Sequence, residues 1–476
     1  MAFQIAGYLD INYSNKQNTI AMHKELLFKY NTPGPRYTSY PTVPYWQKTP
    51  PDQRQWLDQV QHTYTASRLS GEGISLYIHL PFCESLCTYC GCNTRITVNH
   101  AVEKKYIEAL LAEWAMYLTA FGDTRPVIRE IHLGGGTPTF FSPENLQRLI
   151  LGLLEGSVVH EKAQFGFEAH PGNTTEAHLQ ILFDLGFRRI SIGVQDFNPV
   201  VLAIINRQQT YEQVKALTLR AREIGYTSVN YDIVYGLPHQ KVCYMMETMQ
   251  RVVRLKPDRI AFYSYAHVPW IKPGQRSFTE KDLPDPDKKM AIYETGRNVL
   301  EMSGYQDIGM DHFALATDEL YKAQQEKRLH RNFMGYTDTR TQLLIGLGAS
   351  AISDSWRGYV QNEKKVEDYY ARIHANELPV FRGHLLTKDD LILRKHILRL
   401  MTEFETSWKN PGEVCADVYR SVERLAEMEF DELVELEPYG VKITEKGKPF
   451  VRNICMAFDA RLWESQPETQ LFSQTV

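Results

Sequence analysis

Six short apolar or alternating runs, spaced by longer amphipathic stretches, constrain this chain more than any other feature. They are ISLYIHL (74–80), IREIHL (128–133), FGFEA (165–169), RRISIGV (188–194), VNYDIVY (229–235) and RIAFYSY (259–265). Each has strand length and strand composition. The stretches 101–121, 142–154, 211–224 and 284–303 between or after them carry helical periodicity. Parallel strands need a crossover, and a helix is the usual one, so strand–helix alternation predicts a parallel α/β sheet. Six units fall short of the eight that close a full barrel. The expected fold is therefore a partial (β/α)6 TIM-like barrel, open on one side to a large substrate.

The flanks read differently. Before Gly71 the prolines at 33, 35, 41, 44, 50 and 51 leave room for one helix only, at 53–66, so residues 1–70 are expected to form an N-terminal arm. The barrel is expected over 71–355. After that the rhythm is lost: 386–432 reads as helices, and 433–452 as two short strands with a turn at Tyr439-Gly440. Residues 356–476 are expected to be a small, mostly helical α+β domain.

Four of the seven cysteines, Cys83, Cys87, Cys90 and Cys92, fall within ten residues directly after the first strand; Cys243, Cys415 and Cys455 are scattered. An odd count is a poor disulfide framework. Three thiolates at CxxxCxxC spacing on one loop can converge on a soft metal centre. A zinc loop is the plain alternative, but zinc knuckles come in pairs and no second pair exists here. Three ligands on a four-iron cube would leave one iron open to a non-protein ligand. Cys92 is the obvious fourth candidate, and spacing alone does not decide whether it ligates.

Charge adds exclusions. Lys and Arg total 53 against 57 Asp and Glu, a net charge of −4, which gives no reason to expect a nucleic-acid or anionic-membrane partner. No run reaches the roughly 18 apolar residues of a membrane span; the longest, Leu343–Ile352, is broken by Gly346, Gly348 and Ser350. The start MAFQIAGYLDINYSNK has no basic segment ahead of an apolar stretch, so no signal peptide is expected and the chain is expected to be cytoplasmic.

Further candidates sit at strand ends. Gly134-Gly135-Gly136-Thr137-Pro138 follows the second strand, where glycine permits close backbone approach to a ligand. Glu168 ends the third run, Gln195 the fourth, Asp232 lies in the fifth, and Tyr263, Tyr265 and Ala266 close the sixth. Singly, each serves equally well as a satisfied polar core group. Together they face the C-terminal mouth, where barrel enzymes place their chemistry. Glu168 and Asp232 suit ribose hydroxyls or an α-amino group, and Arg207 suits a carboxylate. GLGASAIS (346–353) is expected to lie against an adenosine.

The CxxxCxxC loop after a first barrel strand resembles the radical S-adenosylmethionine (radical SAM) superfamily. The longer string LYIHLPFCESLCTYCGCNT (76–94) resembles one family within it, the oxygen-independent coproporphyrinogen III oxidases. KYNTPGPRYTSYPT (29–42), HLGGGTPT (132–139), GVQDF (193–197), NRQQ (206–209), YDIVYGLP (231–238), YSYAH (263–267), IGMDHFA (308–314), LHRNF (329–333), GASAIS (348–353) and RNICMAFD (452–459) agree with it.

The resemblance implies a [4Fe-4S] cluster held by Cys83, Cys87 and Cys90, with Cys92 required but not a ligand. It implies two SAM molecules per chain. The first would meet Tyr77, Gly135, Glu168 and Ile352; the second Tyr89, Gly136, Thr137, Gln195, Arg207, Asp232 and Ala266. The implied reaction is radical decarboxylation of the ring A and B propionates of coproporphyrinogen III to vinyl groups, giving protoporphyrinogen IX, a step of heme biosynthesis. A flavodoxin- or ferredoxin-type electron donor is expected with it, and the chain is expected to be a monomer. Two residues depart from the family pattern: His170 stands where an acid is usual, and Met334 where glutamine is common. Arg36, Arg331 and Arg340 are candidate carboxylate partners. Rival readings are a heme chaperone of the same branch, a heme-degrading methyltransferase, and a non-catalytic metal-binding protein. Cys92 disfavours the chaperone and CGCN the methyltransferase.

Overall fold

The computed structural model describes residues 25–465 and 472–475. The chain forms two compact units. One spans Trp46–Thr387; the other combines the segment up to Tyr45 with the segment from Lys388 onward.

The larger unit is built on a twelve-stranded sheet. Its six central strands are β1 (Ile74–Leu80), β2 (Val127–Gly135), β3 (Val158–Ala169), β4 (Phe187–Gln195), β5 (Ser228–Tyr235) and β6 (Arg259–Ser264). They lie side by side in chain order, all parallel. All six fall on the expected runs. Beyond β6 come β7 (Tyr305–Gly309) and β8 (His312–Leu315), with β8 antiparallel to β6. On the other side β9 (Leu344–Leu347) runs parallel to β1, and β10 (Ile352–Asp354), β11 (Gly358–Asn362) and β12 (Val380–Leu385) continue antiparallel. The order ends at β12 and β7, which do not pair. This is the expected partial barrel.

Helices α1 (Gln53–Ser70), α2 (Val102–Phe121), α3 (Pro143–Glu155), α4 (Glu176–Asp184), α5 (Tyr211–Ile224), α6 (Val242–Leu255) and α7 (Pro286–Met302) belong to this unit. Several begin with their own stop signs. Asp52 and Gln55 form a capping box at α1, as do Thr210 and Gln213 at α5, and Ser142 caps α3 ahead of Pro143. Their apolar faces cover one face of the sheet. Ile74, Leu76, Ile78 and Leu80 of β1, Ile131 and Leu133 of β2, and Ile190, Ile192 and Val194 of β4 are buried there with Trp114, Leu146, Leu149 and Val214.

Because strand side chains alternate, the opposite face carries the polar residues. Near the strand starts these form a charged plug. Arg259 donates to Asp318 Oδ1 at 2.7 Å and to Asp338 at 3.4 Å; Arg189 donates to Gln164 at 3.0 Å and lies 3.6 Å from Asp338. Ser75 donates to Glu130 Oε2 at 3.0 Å. The upper positions on this face hold the site.

The expected domain boundaries, 70/71 and 355/356, both fall inside this unit. Helix α1 is part of it, and β11 and β12 extend its sheet to Leu385. Residues 1–24 of the expected arm lie outside the described residues.

The smaller unit pairs helices Lys388–Glu403 and Ala416–Phe430 with a three-stranded sheet of Glu405–Ser407, Gly440–Ile443 and Val434–Glu437. Two of these strands fall within the expected 433–452, with the turn one residue early, at Pro438-Tyr439, and Gly440 opening the second strand; the strand Glu405–Ser407 lies in the stretch read as helices. The proline-rich segment before Tyr45 packs here. Arg452 donates to the Pro35 carbonyl at 3.0 Å, and Tyr37 donates to Asp459 at 3.0 Å. Among the described residues no helix is long and apolar enough to cross a membrane.

Candidate active site

The cysteine loop leaves the end of β1 and is tied at its base. Arg95 donates its amide to the Pro81 carbonyl at 2.7 Å, and Thr97 to the Cys83 carbonyl at 2.9 Å. Its far side is held by the segments that follow β4 and β6. Thr88 N–H donates to Ile205 O at 3.0 Å, and Asn206 Nδ2 to Leu86 O at 2.7 Å. Buried Gln275 donates to both Tyr89 O and Ala266 O, at 3.2 Å each. A loop with this many thiols and few apolar residues needs such ties, since no core of its own orders it.

The thiols differ in environment. Cys83 is drawn to Thr137 Oγ1 at 3.3 Å, and burial pushes its thiol up to about 11. Cys90 is pushed down to about 6. The hydrogen bond from Cys92 dominates that shift, with Lys272 and Arg207 adding to it against burial. The Cys92 backbone N–H also points at Cys90 Sγ, at 3.4 Å. Cys92 itself is exposed. Arg207 Nη1 donates to Cys87 Sγ at 3.6 Å. Thiolate character is what a metal ligand needs. Among the described residues no three His, Cys, Asp or Glu side chains are close enough to chelate a single ion. Three half-buried thiols on one short loop, with no histidine among them, are the donor set a soft iron–sulfur centre takes.

The glycine turn after β2 packs against this loop. Gly136 N–H donates to Leu80 O at 2.8 Å and Thr137 N–H to Phe82 O at 3.0 Å. A Cβ on Gly136 would come within 2.7 Å of the Pro81 backbone, and one on Gly135, at φ +115°, within 2.7 Å of the His79 ring. The glycines are thus required by the approach of two strand ends as well as by any ligand. With these amides spent, the turn offers a ligand its carbonyl oxygens, which suit an ammonium group.

Around the turn lies a polar shelf. Glu168 Oε2 accepts from Gly135 N–H at 3.2 Å, and its Oε1 is 3.6 Å from His132 Nε2. Tyr77 stacks on His132 and reaches His79 Nδ1 at 3.2 Å. His79 Nε2 lies 2.9 Å from the Asn93 carbonyl. A carbonyl only accepts, so the proton sits on Nε2 and Nδ1 accepts from Tyr77. Burial pushes the His79 imidazole down, keeping it neutral.

Asp232 accepts from Ser191 at 3.0 Å and from Asn230 at 2.9 Å, and burial followed by the Glu168 charge pushes its carboxyl up to about 6. Gln195 ends β4 with φ +66°, a conformation unusual for a side-chain-bearing residue and typical of functional strand ends. Arg207 donates to the Gly193 carbonyl and to Gln209 Oε1, and Gln209 in turn donates to the Val194 carbonyl. That clamp fixes the end of β4 under the cysteine loop.

The GLGASAIS turn joins β9 to β10 and closes the other flank. Buried Glu113 of α2 accepts from Gly348 N–H at 2.8 Å, Tyr369 OH at 2.7 Å and Asn362 Nδ2 at 2.7 Å. Tyr106 OH receives Ala349 N–H at 2.8 Å, and Ser350 Oγ is 3.4 Å from His79 Nε2.

Residues 77–252 match the model of the radical SAM superfamily. The oxygen-independent coproporphyrinogen III oxidase of Escherichia coli K12 is 39% identical over 460 residues, 95% of this chain and 98% of that protein. The chain belongs to this family of radical SAM proteins. The protein of the same name from Paracoccus denitrificans is 39% identical over 89% of this chain and 93% of its own. The solved structure of coproporphyrinogen III oxidase from Escherichia coli, described as a radical SAM enzyme, superposes with a TM-score of 0.84 at 37% identity, covering 89% of this chain and 97% of that one. The radical SAM partial barrel with a small α+β unit is therefore the fold.

Within this family site, most residues singled out in the sequence gather at the mouth. Tyr265 serves packing instead: its ring lies with Val201, Leu202 and Phe278. Of the candidate cations, Arg340 lies beside Glu72, ahead of β1 and so at the far end from the mouth. Arg331 is buried with its guanidinium over the Tyr336 ring. His170 accepts from Gly172 N–H at 3.0 Å; burial, then Arg207, push it down to about 3, so it stands here as a neutral group. His79 and His132 belong to none of the motifs, though their two-residue spacing from Tyr77 and Gly134 marks them as facing the site. Gln275 and Glu113 carry no local signal.

Proposed function

We propose that this chain carries out the radical decarboxylation of two propionate side chains of coproporphyrinogen III, on rings A and B, to vinyl groups, using two SAM molecules. The observation that carries this reading is the near end-to-end kinship with the oxygen-independent coproporphyrinogen III oxidases, together with the strand-end polar shelf beside the thiols. Cys83, Cys87 and Cys90 hold the [4Fe-4S] cluster, and Cys92 stays free of it. Tyr77, Gly135, Glu168 and Ile352 take the first SAM. Tyr89, Gly136, Thr137, Gln195, Arg207, Asp232 and Ala266 take the second. When bound, cluster and SAM supply the hydrogen-abstracting radical that the protein lacks.

The chain's own part is positioning and shielding. Carbonyls of the glycine turn and the Glu168 carboxylate receive an ammonium, Asp232 receives hydroxyl hydrogens, and Arg207 receives a carboxylate. The cysteine loop and the GLGASAIS turn stand on either side of this shelf and restrict water. A low-potential electron carrier of flavodoxin or ferredoxin type is the reducing partner in this reading.

Anaerobic turnover tests it. Reconstituted protein with reductant, SAM and coproporphyrinogen III is expected to yield about one 5′-deoxyadenosine per vinyl group. Deoxyadenosine without any vinyl product would sink the substrate assignment while keeping the radical chemistry.

Asp232 gives the reading a pH signature. Its carboxyl is raised to about 6 by burial and by Glu168, so it loses its negative charge as pH falls through about 6. SAM affinity, measured by equilibrium dialysis, is expected to fall over that step in the wild type. In Asp232→Asn it is expected to be weak throughout and to lack the step. A step retained in the variant would assign the titration to another group.

A further inference from the structure

Three cations, Lys272, Lys364 and Arg382, stand together beside the cysteine loop, and among the described residues none is paired with a carboxylate. Lys272 Nζ donates to the Cys92 carbonyl at 3.2 Å. The backbone of Lys364 is held from the next residue, where Asn93 Nδ2 donates to the Lys364 carbonyl at 2.8 Å. Arg382 faces Gln361 across the β11–β12 pair and donates to its Oε1 at 2.7 Å, while Gln361 donates to the Ser350 carbonyl of the GLGASAIS turn at 2.9 Å. All three are therefore anchored to the two loops that flank the site. Among the described residues none of them enters an ion pair, and the adjacent Glu363 lies 3.5 Å from Arg372 instead. Burial, with the Arg382 and Lys272 charges adding to it, pushes the Lys364 ammonium down from its ordinary range. Gathering them costs free energy in a chain of net charge −4, and an anion placed among them offsets that cost.

Apolar surface adjoins the cations. Trp270 and Ile271, beside Lys272, are 54% and 57% exposed, and the Phe381 ring lies 5.4 Å from Lys364 Nζ. A flat, largely apolar ring system with carboxylates on short arms matches both features at once.

We propose that Lys272, Lys364 and Arg382 form the subsite that takes carboxylate groups of the substrate at the mouth of the barrel. This rests on the reading of a tetracarboxylate substrate given above. The two acids that are kept, rather than those removed, suit such a subsite. It holds them in charge-assisted hydrogen bonds away from the strand-end shelf, and leaves the reacting arms free to reach it.

The test uses the cluster-loaded enzyme and coproporphyrin III, the stable oxidised form of the substrate, with binding read by fluorescence quenching. Lys364→Met and Arg382→Gln are each expected to weaken binding about tenfold, the loss of one charge-assisted contact. The tetramethyl ester, which has no carboxylate, is expected to bind wild type and variants alike. In turnover the KM for coproporphyrinogen III should rise while the KM for SAM and the iron content hold. Coproporphyrin binding unchanged in both variants overturns the proposal. So does a defect seen with a protein electron donor but absent with dithionite, which would assign the patch to an acidic electron carrier. Wild-type enzyme that neither binds coproporphyrin III nor forms vinyl groups fails the substrate reading itself, and the subsite with it.

Discussion

Serine in place of Cys83, Cys87 or Cys90 is expected to abolish both the iron–sulfur absorption and SAM cleavage, while serine in place of Cys92 keeps both and loses vinyl formation. The difference follows from where the four sulfurs stand. Cys83, Cys87 and Cys90 are half-buried and lie in mutual electrostatic reach, whereas Cys92 is exposed. The Cys92 thiol is spent as a donor to Cys90, which lowers the Cys90 thiol to about 6. A serine hydroxyl at 92 still donates to that sulfur, so thiolate character and metal binding at Cys90 survive. A serine at 90 removes the soft donor itself, and no neighbouring group replaces it. Iron and sulfide content, the absorption band near the cluster's charge-transfer region and deoxyadenosine yield read the three outcomes together. Loss of iron in Cys92→Ser with retention in one of the other three would reassign the ligand set.

Much of this was written in local sequence. The six parallel strands follow from runs in which every second residue is apolar, because one face must pack under helices and the other lines the site. The same alternation encodes Tyr77 and His79 on β1, and Asn230 and Asp232 on β5. Strand β3 begins at Val158 rather than near Phe165, since its first residues, VVHEKAQ, are exposed or half-exposed and show no core-facing pattern. The cysteine spacing and the glycine turn were legible because their chemistry is local. Gln275, Glu113 and the Lys272, Lys364 and Arg382 group were not. Each acts across a sequence separation fixed only when the loops dock, so no periodicity marks it. The guess at Arg340 failed for the same reason: a loop arginine's end of the barrel is set by strand direction, not by its neighbours in sequence.

Removing the Asp338 carboxylate is expected to cost about 3–5 kcal/mol of stability. Asp338 sits between the buried Arg259 guanidinium at 3.4 Å and the partly exposed Arg189 guanidinium at 3.6 Å, and accepts from Gln164 at 2.5 Å. Asp318 balances Arg259 on its other side, at 2.7 Å. Glu130 stands beside this group, and burial pushes its carboxyl up. Asp338→Leu takes away the carboxylate that both guanidiniums share, leaving Arg259 to Asp318 and Arg189 without its close acid in a low-dielectric place. Asp338→Asn keeps a hydrogen-bond acceptor and should lose less. The pH dependence has a definite sign. Burial opposes ionisation of Asp338, but Arg259 and Arg189 outweigh it and hold the carboxyl well below the ordinary range. Its contribution is therefore complete above the unfolded carboxylate pKa and is lost only in strong acid. Urea unfolding of wild type and Asp338→Leu at neutral pH, then across the acid range, checks both parts. The gap should narrow toward low pH, because protonation gives the wild type the defect that the variant carries throughout. A constant gap would mean that packing, rather than charge, holds this plug. Gln164 of the plug and Glu168 of the shelf lie on the same strand, β3, so loss of the plug is also expected to loosen the shelf.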